Sequence, residues 1–446
     1  MHQRGLLGAI LSTYKAKSMG REALWTLQLQ RLRRLLAHAK QDSPYYRNLY
    51  GSIDTACSSL TDLPPTNKVD LMSSFDYWLT DRSITHHAVE RFMQNKDNIG
   101  RRMNHRYLVY TTSGSTGNPS LVLADKTTFH VSAAISALRG FARKSDLHTF
   151  MKRGKKTAGL YAADGFYLGS GSMRHQQLQM PWRKNQLIVN VLSPMEEIVD
   201  KLNAFQPAML GSYPSMLELL LQEQLAGRLH ISPVVIMPGG EYVREELRER
   251  LTEGFGAYVQ IHYSCTEAGV IACACEHNHL HINEDWCIVE AVDAVNRPIP
   301  AGEQSCKALI TNLANYTQPF IRYELNDRII LHDEKCACGS PFRWLEIEGR
   351  NDEILEFTNG VRIPPMALFA LLKEIPEIKR YQIVQHAHDR LEVRLTAEDK
   401  AAAFSMAKHT LVKYLASKQT IADVYLSELE PQVHPKSGKF RAVYRQ

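Results

Sequence analysis

The chain has 446 residues, of which 44% are hydrophobic and 22% charged, and these values are typical of folded globular proteins and exclude wholesale disorder. Its length exceeds what one ordinary core supports, which predicts two or three domains. The net charge of +6 suits a small anionic ligand, but the chain lacks the dense basic stripe of a nucleic-acid-binding protein, so no nucleic-acid partner is expected.

The sequence contains no apolar run long enough to cross a bilayer, so no membrane partner is expected. The apolar run near the start is too short for a secretory segment and no small-residue cleavage site follows it, which predicts a cytoplasmic protein. In a cytoplasmic chain, the eight cysteines are better interpreted as metal ligands or reduced thiols than as disulfides.

The first predicted elements are a helix over residues 22–41 and a loop-rich stretch that contains Pro44, Pro64 and Pro65. Two strands are then predicted at 107–111 and 121–123, and the loop between them is rich in glycine, serine and threonine. Glycine lets a backbone wrap closely around a phosphate, and successive N–H groups form an anion-binding nest. The loop lacks the Gly-Lys-Ser/Thr ending of a Walker A motif, and a flexible hairpin loop is the alternative interpretation.

Strands and helices alternate regularly from about residue 187. The strand-like runs are 187–192, 208–211, 234–237 and 258–263, and the helices between them begin with Pro194, with Pro214 and near residue 243. This alternation predicts a parallel sheet with helices on its faces, and ligands bind beyond the carboxyl ends of the strands in such sheets. Two polar segments, 239–241 and 264–267, fall at those ends.

Short β runs follow from 286 to 348, and the pattern changes again beyond residue 352. A hairpin around Asn359-Gly360, two helices and three further strands are predicted between 353 and 428. The predicted fold class is therefore α/β. A large N-terminal domain (1–350) would have mixed and parallel sheets flanked by helices, and a small, mobile α+β domain (351–446) would follow it.

Five ordered motifs between residues 111 and 439 carry a resemblance to the adenylate-forming superfamily of acyl-CoA synthetases, peptide-synthetase adenylation domains and luciferases. These motifs are Thr112-Ser113-Gly114-Ser115-Thr116-Gly117-Asn118-Pro119, Tyr263-Ser264-Cys265-Thr266-Glu267, Tyr323-Glu324-Leu325-Asn326-Asp327, Gly349-Arg350-Asn351-Asp352 and Pro435-Lys436-Ser437-Gly438-Lys439. Shorter segments at 43–47, 63–68, 239–241 and 319–323 resemble phenylacetate–CoA ligases in particular. Ser264 and Asn326 each replace a glycine that is usual in the superfamily, and Ser264 puts the shape of the acid pocket in doubt.

The resemblance implies an ATP- and Mg²⁺-dependent enzyme that activates a carboxylic acid as its acyl-adenylate. An aryl acid is one candidate for the substrate. The enzyme would then transfer the acyl group to a thiol, and CoA is the first candidate for that acceptor. Thr112, Ser113, Gly114, Ser115, Thr116 and Gly117 would hold the phosphates. Glu267 would hold Mg²⁺ with Thr266 beside it, and Lys439 would be the catalytic lysine of the small domain, which would rotate about Asp352. The rest of the nucleotide site would comprise Gly239, Gly240, Glu241, Tyr263, Asp327 and Arg350.

The acid pocket is expected between residues 161–171, Tyr213, Gly239 and Tyr263. The aromatic side chains of this region suit a flat aryl acid, but they would serve equally as ordinary core. Two other functions stay open: a synthetase that transfers the acyl group to a carrier protein or an amine, and an inactive, zinc-stabilised binding module. The sequence also leaves open the identity of the acid and whether the chain forms a homo-oligomer.

Two cysteine-rich segments predict a structural zinc site. Tetrahedral zinc takes four nitrogen or sulfur ligands, and two short segments could join distant loops in this way. The preferred set is Cys275, His277, Cys336 and Cys338, with Cys273, His279 and His281 as alternates. Reduced thiols beside solvent-exposed histidines are the other interpretation. A nucleophilic role for Cys265 is disfavoured, because His262 is the nearest base and should face the other side of the strand.

Overall fold

The computed structural model describes residues 5–55, 59–112, 119–180, 184–350, 355–363, 365–435 and 440–446. The chain divides into two units, Met1–Glu348 and Gly349–Gln446. The helices of the described residues are α1 (Leu6–Ala16), α2 (Arg21–Asp42), α3 (Pro44–Tyr50), α4 (Lys68–Ser73), α5 (Phe75–Trp78), α6 (His86–Gln94), α7 (Lys126–Arg139), α8 (Lys144–Lys152), α9 (Leu168–Gln179), α10 (Met195–Phe205), α11 (Pro214–Leu225), α12 (Glu245–Phe255), α13 (Pro365–Lys373) and α14 (Lys400–Ser417).

The strands of the described residues form six sheets. They are β1 (Arg102–Met103), β2 (Tyr107–Thr111), β3 (Leu121–Ala124), β4 (Thr157–Tyr161), β5 (Gln186–Asn190), β6 (Met209–Ser212), β7 (Val235–Pro238), β8 (Tyr258–Val259), β9 (His262–Cys265), β10 (Gly269–Ala274), β11 (Leu280–Ile282), β12 (Cys287–Val292), β13 (Lys307–Asn312), β14 (Tyr323–Leu325), β15 (Asp327–His332), β16 (Trp344–Arg350), β17 (Leu355–Glu356), β18 (Arg362–Ile363), β19 (Ile378–Ala387), β20 (Arg390–Ala397), β21 (Asp423–Leu426) and β22 (Val443–Arg445).

A five-stranded parallel sheet with the order β5-β4-β6-β7-β8 positions most of the candidate site. β5 follows β4 in the chain and pairs with one edge of β4, and the chain then crosses over to β6, which pairs with the other edge of β4. Because crossovers between parallel strands are right-handed, this reversal puts the connecting helices on opposite faces. The sheet therefore has a topological switch point between β4 and β6, where a crevice opens beyond the strand ends.

The two faces of this sheet are covered by different helices. Ile198 of α10, Leu217 of α11 and Leu251 of α12 share one buried apolar cluster with strand residues such as Leu160. On the other face, α9 packs so closely on β4 that a side chain at Gly159 would overlap Met173. The α/β fold class predicted from the alternating pattern is thus confirmed.

Two sequence predictions about local structure were wrong. The stretch after residue 43 is not loop-rich but holds α3 to α6, because Pro44 occupies the first turn of α3, where its missing N–H costs nothing. The Ser43 hydroxyl caps this helix by accepting a hydrogen bond from the Tyr46 N–H (3.4 Å). The single strand predicted at 258–263 is two strands, because β8 pairs in the parallel sheet whereas β9 pairs with β10 in an antiparallel sheet.

Antiparallel sheets complete the first unit. The strands β15-β16-β11-β10-β9 form one sheet, β12-β13-β14 a second and β1-β2-β3 a third. The second unit has its own four-stranded sheet, β21-β20-β19-β22, with the antiparallel pair β19–β20 at its centre, and α14 contributes Leu411 to its buried core. Among the described residues, no helix has both the length and the apolar composition that a membrane crossing requires.

A buried ion pair links α7 to the segment after β11 in the first unit. Two nitrogen atoms of the Arg139 guanidinium donate to the Asp285 carboxylate at 2.7 and 2.9 Å, and the two side chains are 6% and 0% exposed. The same guanidinium also donates to the Asn283 side chain (2.8 Å) and to the Thr13 carbonyl (3.1 Å). The fork of one arginine therefore joins three segments that are distant in the sequence.

We expect Asp285→Ala to lower the free energy of unfolding of the first unit by about 3–5 kcal/mol, because it leaves a buried guanidinium without its counter-charge. Urea unfolding followed by tryptophan fluorescence measures this, since all five tryptophans lie in that unit. The control is Glu197→Gln, which breaks an exposed pair with Lys201 and should leave the free energy of unfolding nearly unchanged. Equal losses in the two variants would contradict the importance of burial here.

Candidate functional site

The stem of the predicted phosphate loop is held by two hydrogen bonds between Thr112 and Ser120. The Ser120 N–H donates to the Thr112 hydroxyl (2.8 Å), and the Thr112 N–H donates to the Ser120 carbonyl (3.1 Å). The Thr111 N–H donates to the Phe166 carbonyl (2.7 Å), so the stem meets the segment that follows β4. The loop residues Ser113, Gly114, Ser115, Thr116 and Gly117 lie outside the described residues.

Glu267 lies in the connection between β9 and β10 and is only 7% exposed. Its carboxylate accepts a hydrogen bond from the Tyr323 hydroxyl (3.2 Å), and its carbonyl accepts one from the Asn312 side chain (3.0 Å). The Tyr323 side chain also lies beside that of Ser120. Burial and the Glu267 charge hold the pKa of Tyr323 well above its ordinary value, so this hydroxyl remains a donor. A nearly buried carboxylate thus sits next to the stem of the loop.

Asp327 begins β15 and is 9% exposed, and its carboxylate accepts a short hydrogen bond from the Tyr263 hydroxyl (2.6 Å). Tyr263 and Asp327 come from two of the five motifs and lie 64 positions apart in the sequence. Cys265 lies close enough to Glu267 and Asp327 for both charges to raise its pKa. The structure therefore brings the second and third motifs together around two carboxylates.

The Gly239–Glu241 segment follows β7 at the carboxyl edge of the parallel sheet. The Gly239 N–H donates to the Ser212 carbonyl (3.0 Å), and Gly240 has a positive φ of 81°, a conformation that favours glycine. The Glu241 carboxylate accepts from both the backbone N–H and the hydroxyl of Ser215, each at 3.0 Å. The space next to Gly239 is open, since a Cβ there would meet nothing within 4 Å. The backbone of this segment is therefore uncovered at Gly239.

The remaining predicted residues are placed only in part. Thr266 lies in the connection between β9 and β10. Arg350 is the last residue of β16, but its side chain is not described. The hinge residues Asn351 and Asp352 and the catalytic candidate Lys439 lie outside the described residues. The roles of these positions stay predictions.

Cys265 does not have the surroundings of a nucleophile. Burial is the largest cause that raises the pKa of its thiol, and the charge of Glu267 raises it further. The thiol therefore stays protonated, whereas a nucleophilic cysteine needs its pKa lowered. The pKa of His262, the nearest candidate base, is lowered by burial to about 4.

Three of the four residues preferred as zinc ligands, Cys275, Cys336 and Cys338, lie together in the structure with His281, one of the alternates, whereas His277 is not part of this group. That the group holds zinc stays a prediction. The ligand atoms of Cys275, His281, Cys336 and Cys338 all lie within 4.8 Å of one another. His281 takes the place predicted for His277, because β10–β11 pairing sets it opposite Cys273, on the same face as Cys275. His277 belongs to the turn of this hairpin, and its side chain is 46% exposed.

The geometry of this group matches a tetrahedral metal. The sulfur atoms of Cys275 and Cys336 are 3.8 Å apart, and tetrahedral zinc with bonds of about 2.3 Å to sulfur separates two sulfur atoms by roughly that distance. The Nδ1 atom of His281 lies 2.9 Å from the Phe342 carbonyl, so an N–H there leaves Nε2, at 3.2 Å from the Cys338 sulfur, free to bind a metal. His279, one of the alternates, lies beside the group, with Nδ1 3.3 Å from the Cys336 sulfur.

Comparisons with known proteins were made by family model, by sequence and by structure. No protein-family model matches the chain. It is 28% identical to a phenylacetate-coenzyme A ligase of Thermus thermophilus over 399 residues, which are 84% of this chain and 81% of that protein. It is 21% identical to protein CapK of Staphylococcus aureus over 409 residues, which cover 85% of this chain and 79% of CapK.

A similar solved structure is that of 2-hydroxyisobutyryl-CoA ligase in the postadenylation state in complex with R3-HIB-AMP. The TM-score is 0.68 with 19% sequence identity, and the match covers 94% of this chain and 88% of the ligase. At 19% identity this structural match shows the fold alone. The relationship to phenylacetate–CoA ligases rests on the sequence matches. The chain is therefore a homologue of phenylacetate–CoA ligases and has the fold of the adenylate-forming CoA ligases.

Proposed function

We propose that this protein is an acid–CoA ligase, which activates a carboxylic acid with ATP as an acyl-adenylate and then transfers the acyl group to CoA. The strongest support is the pairing of Glu267 with Tyr323 and of Asp327 with Tyr263, two carboxylates from ordered motifs that both lie close to Cys265. The ligases to which the chain is similar fit the same reaction class.

The difficulty of this reaction is electrostatic. A carboxylate must attack the α-phosphate of ATP, and the two negative groups repel each other, so the site must orient them and neutralise charge. Mg²⁺ would supply part of that neutralisation, and the carboxylate of Glu267 is an oxygen ligand suited to it. The Tyr323 hydroxyl fixes the orientation of that carboxylate, and the backbone of the 112–117 loop would hold the β- and γ-phosphates.

Other residues would hold the nucleoside and complete the transfer. The open backbone at Gly239 and Gly240 suits an adenine ring, with Glu241 and Tyr263 beside it. The Asp327 carboxylate would accept hydrogen bonds from the ribose hydroxyls. Arg350 would lie near the same sugar, and Lys439 would stabilise charge on the bridging oxygens with Thr266 at the phosphates. The small domain would then rotate about Asp352 so that the thiol can attack.

We expect Lys439→Ala to lower acid-dependent exchange of labelled pyrophosphate into ATP by about 100-fold or more, because it removes a positive charge aimed at the transition state. Pools of aryl, alkenyl, aliphatic and amino acids serve as substrates. The control is Lys413→Ala, an exposed lysine of the same unit, which should exchange like the wild type. If a folded wild-type protein that binds ATP exchanges with no pool, the alternative of an inactive binding module replaces this proposal.

The acyl acceptor is tested separately. We expect the preformed adenylate to be discharged by CoA with release of AMP, since the homologous ligases are named for CoA. Carrier proteins and amines are added to equal aliquots, and the acyl products are identified by mass spectrometry. Discharge by a carrier protein or an amine but not by CoA would establish the alternative synthetase and contradict transfer to CoA.

We also propose that Cys275, His281, Cys336 and Cys338 hold a structural zinc ion. Four protein ligands leave no open coordination position, so the ion would join the β10–β11 hairpin to the segment 336–338 and would take no part in the reaction. His279, which stacks on Trp344 at 3.9 Å between ring centroids, would direct an N–H towards the Cys336 sulfur and support the site from outside.

Elemental analysis of protein purified without added metal should find one zinc ion per chain. His281→Ala should lose most of this zinc, whereas His277→Ala should keep it, because only the first removes a ligand atom of the group. Cys336→Ser and Cys306→Ser form a second matched pair, since Cys306 is exposed and lies outside the group. A wild-type protein without zinc, or loss with His277→Ala alone, would contradict this ligand set.

A further inference from the structure

A tyrosine hydroxyl without a hydrogen-bond partner lies at the switch point of the parallel sheet. Tyr161 is the last residue of β4, next to the end of β6, and its ring meets that of Tyr213 edge-on at 5.9 Å. Within the described part of the chain, its hydroxyl neither donates nor accepts a hydrogen bond. Burial raises its pKa to about 12, so the hydroxyl stays protonated over the whole physiological range.

Two neighbouring tyrosines differ from Tyr161, because their hydroxyls have hydrogen-bond partners. The hydroxyl of Tyr213 has a hydrogen bond with the backbone of Ala162, and that of Tyr110 lies 3.0 Å from the Ser172 hydroxyl. Tyr161 is partly accessible, so a ligand in the crevice can reach its hydroxyl. A polar group of that ligand would be the hydrogen-bond partner that the described residues do not supply.

Three glycines make room for the Tyr161 side chain. A Cβ at Gly211 of β6 would lie 2.6 Å from the Tyr161 hydroxyl oxygen, and one at Gly159 would lie 2.9 Å from the ring. Gly169 of α9 also approaches the ring, at 3.4 Å from its Cβ position. The ring is thus fixed between two strands and a helix, while the residue as a whole remains partly accessible. This arrangement holds the hydroxyl at one defined position by the strand ends.

We infer that Tyr161 determines specificity for the acid, and that the acid carries a polar substituent, a hydroxyl or amino group, that hydrogen bonds with the Tyr161 hydroxyl. This inference rests on the proposed acid-activating function, because the crevice at the switch point is where the acid would bind. The Tyr161 hydroxyl can donate to and accept from such a group. An acid that lacks it would offer the Tyr161 hydroxyl no partner.

Paired acids that differ only in the polar group test the inference. The pairs are 4-hydroxyphenylacetate with phenylacetate, 4-hydroxybenzoate with benzoate, 4-aminobenzoate with benzoate, and 2-hydroxyisobutyrate with isobutyrate. We expect the wild type to favour the substituted member of at least one pair in kcat/KM for pyrophosphate exchange. Tyr161→Phe should reduce that preference about tenfold by lowering the rate with the substituted acid, as expected for the loss of one neutral hydrogen bond.

Tyr50→Phe is the control, because it also removes a tyrosine hydroxyl that has no hydrogen-bond partner in the described residues. This hydroxyl is buried at the end of α3, packed against Tyr46. It should leave the preference unchanged. Gly211→Ala supplies a second variant, since its Cβ would displace the Tyr161 hydroxyl. It should reduce the preference in the wild-type background and have little further effect in Tyr161→Phe.

The outcomes separate this inference from the proposed function. Exchange with no acid at all would overturn the proposed function and the inference with it. Exchange that does not favour any polar member, or a Tyr161→Phe variant that changes both members of each pair equally, would overturn the inference alone and assign Tyr161 a packing role.

Discussion

The reversal of strand order at β4 is the constraint on which the candidate site depends. Because β4 and β6 are neighbours while β5 lies on the other side, the connecting helices leave on opposite faces and cannot close the space beyond these two strands. Tyr161, Tyr213 and the Gly239–Glu241 segment all leave the sheet at this carboxyl edge. The stem of the 112–119 loop is tied to the same region by the hydrogen bond between Thr111 and Phe166. Residues far apart in the sequence thus meet because of a topological rule rather than a local motif.

Buried polar groups give this region its chemical character. Glu267 and Asp327 are nearly inaccessible, and each accepts a hydrogen bond from a buried tyrosine, Glu267 from Tyr323 and Asp327 from Tyr263. Carboxylates taken out of water need donors or cations. Both carboxylates raise the pKa of the Cys265 thiol, so they lie in one region of the structure. Cys275 and His281 belong to the β10–β11 hairpin, which follows directly from the Glu267 connection, and Cys336 and Cys338 lie between β15 and β16.

The sequence predicted the fold class and the order of the motifs well, because these depend on local patterns. The strand at 107–111 and the helices α11 and α14 follow from periodicity and from the residues at their starts.

Other features depend on the tertiary structure. Proline was read as a loop signal at residue 44, although the first turn of a helix accepts it. His277 was preferred over His281 because spacing along the chain does not reveal which residues of a hairpin share a face; only the pairing register does. The free hydroxyl of Tyr161 likewise has no signature in the sequence, since it depends on glycines contributed by β6 and α9.

The account rests on the formation of an acyl-adenylate, and direct detection of that intermediate tests it most sharply. Wild-type protein is mixed with ATP, Mg²⁺ and the acid pools without any thiol, quenched within one turnover and analysed by mass spectrometry. The account predicts an acyl-AMP together with pyrophosphate, and its replacement by acyl-CoA and AMP when CoA is added. Formation of ADP and phosphate in place of AMP and pyrophosphate, or acyl-CoA formed without any acyl-AMP, would contradict it.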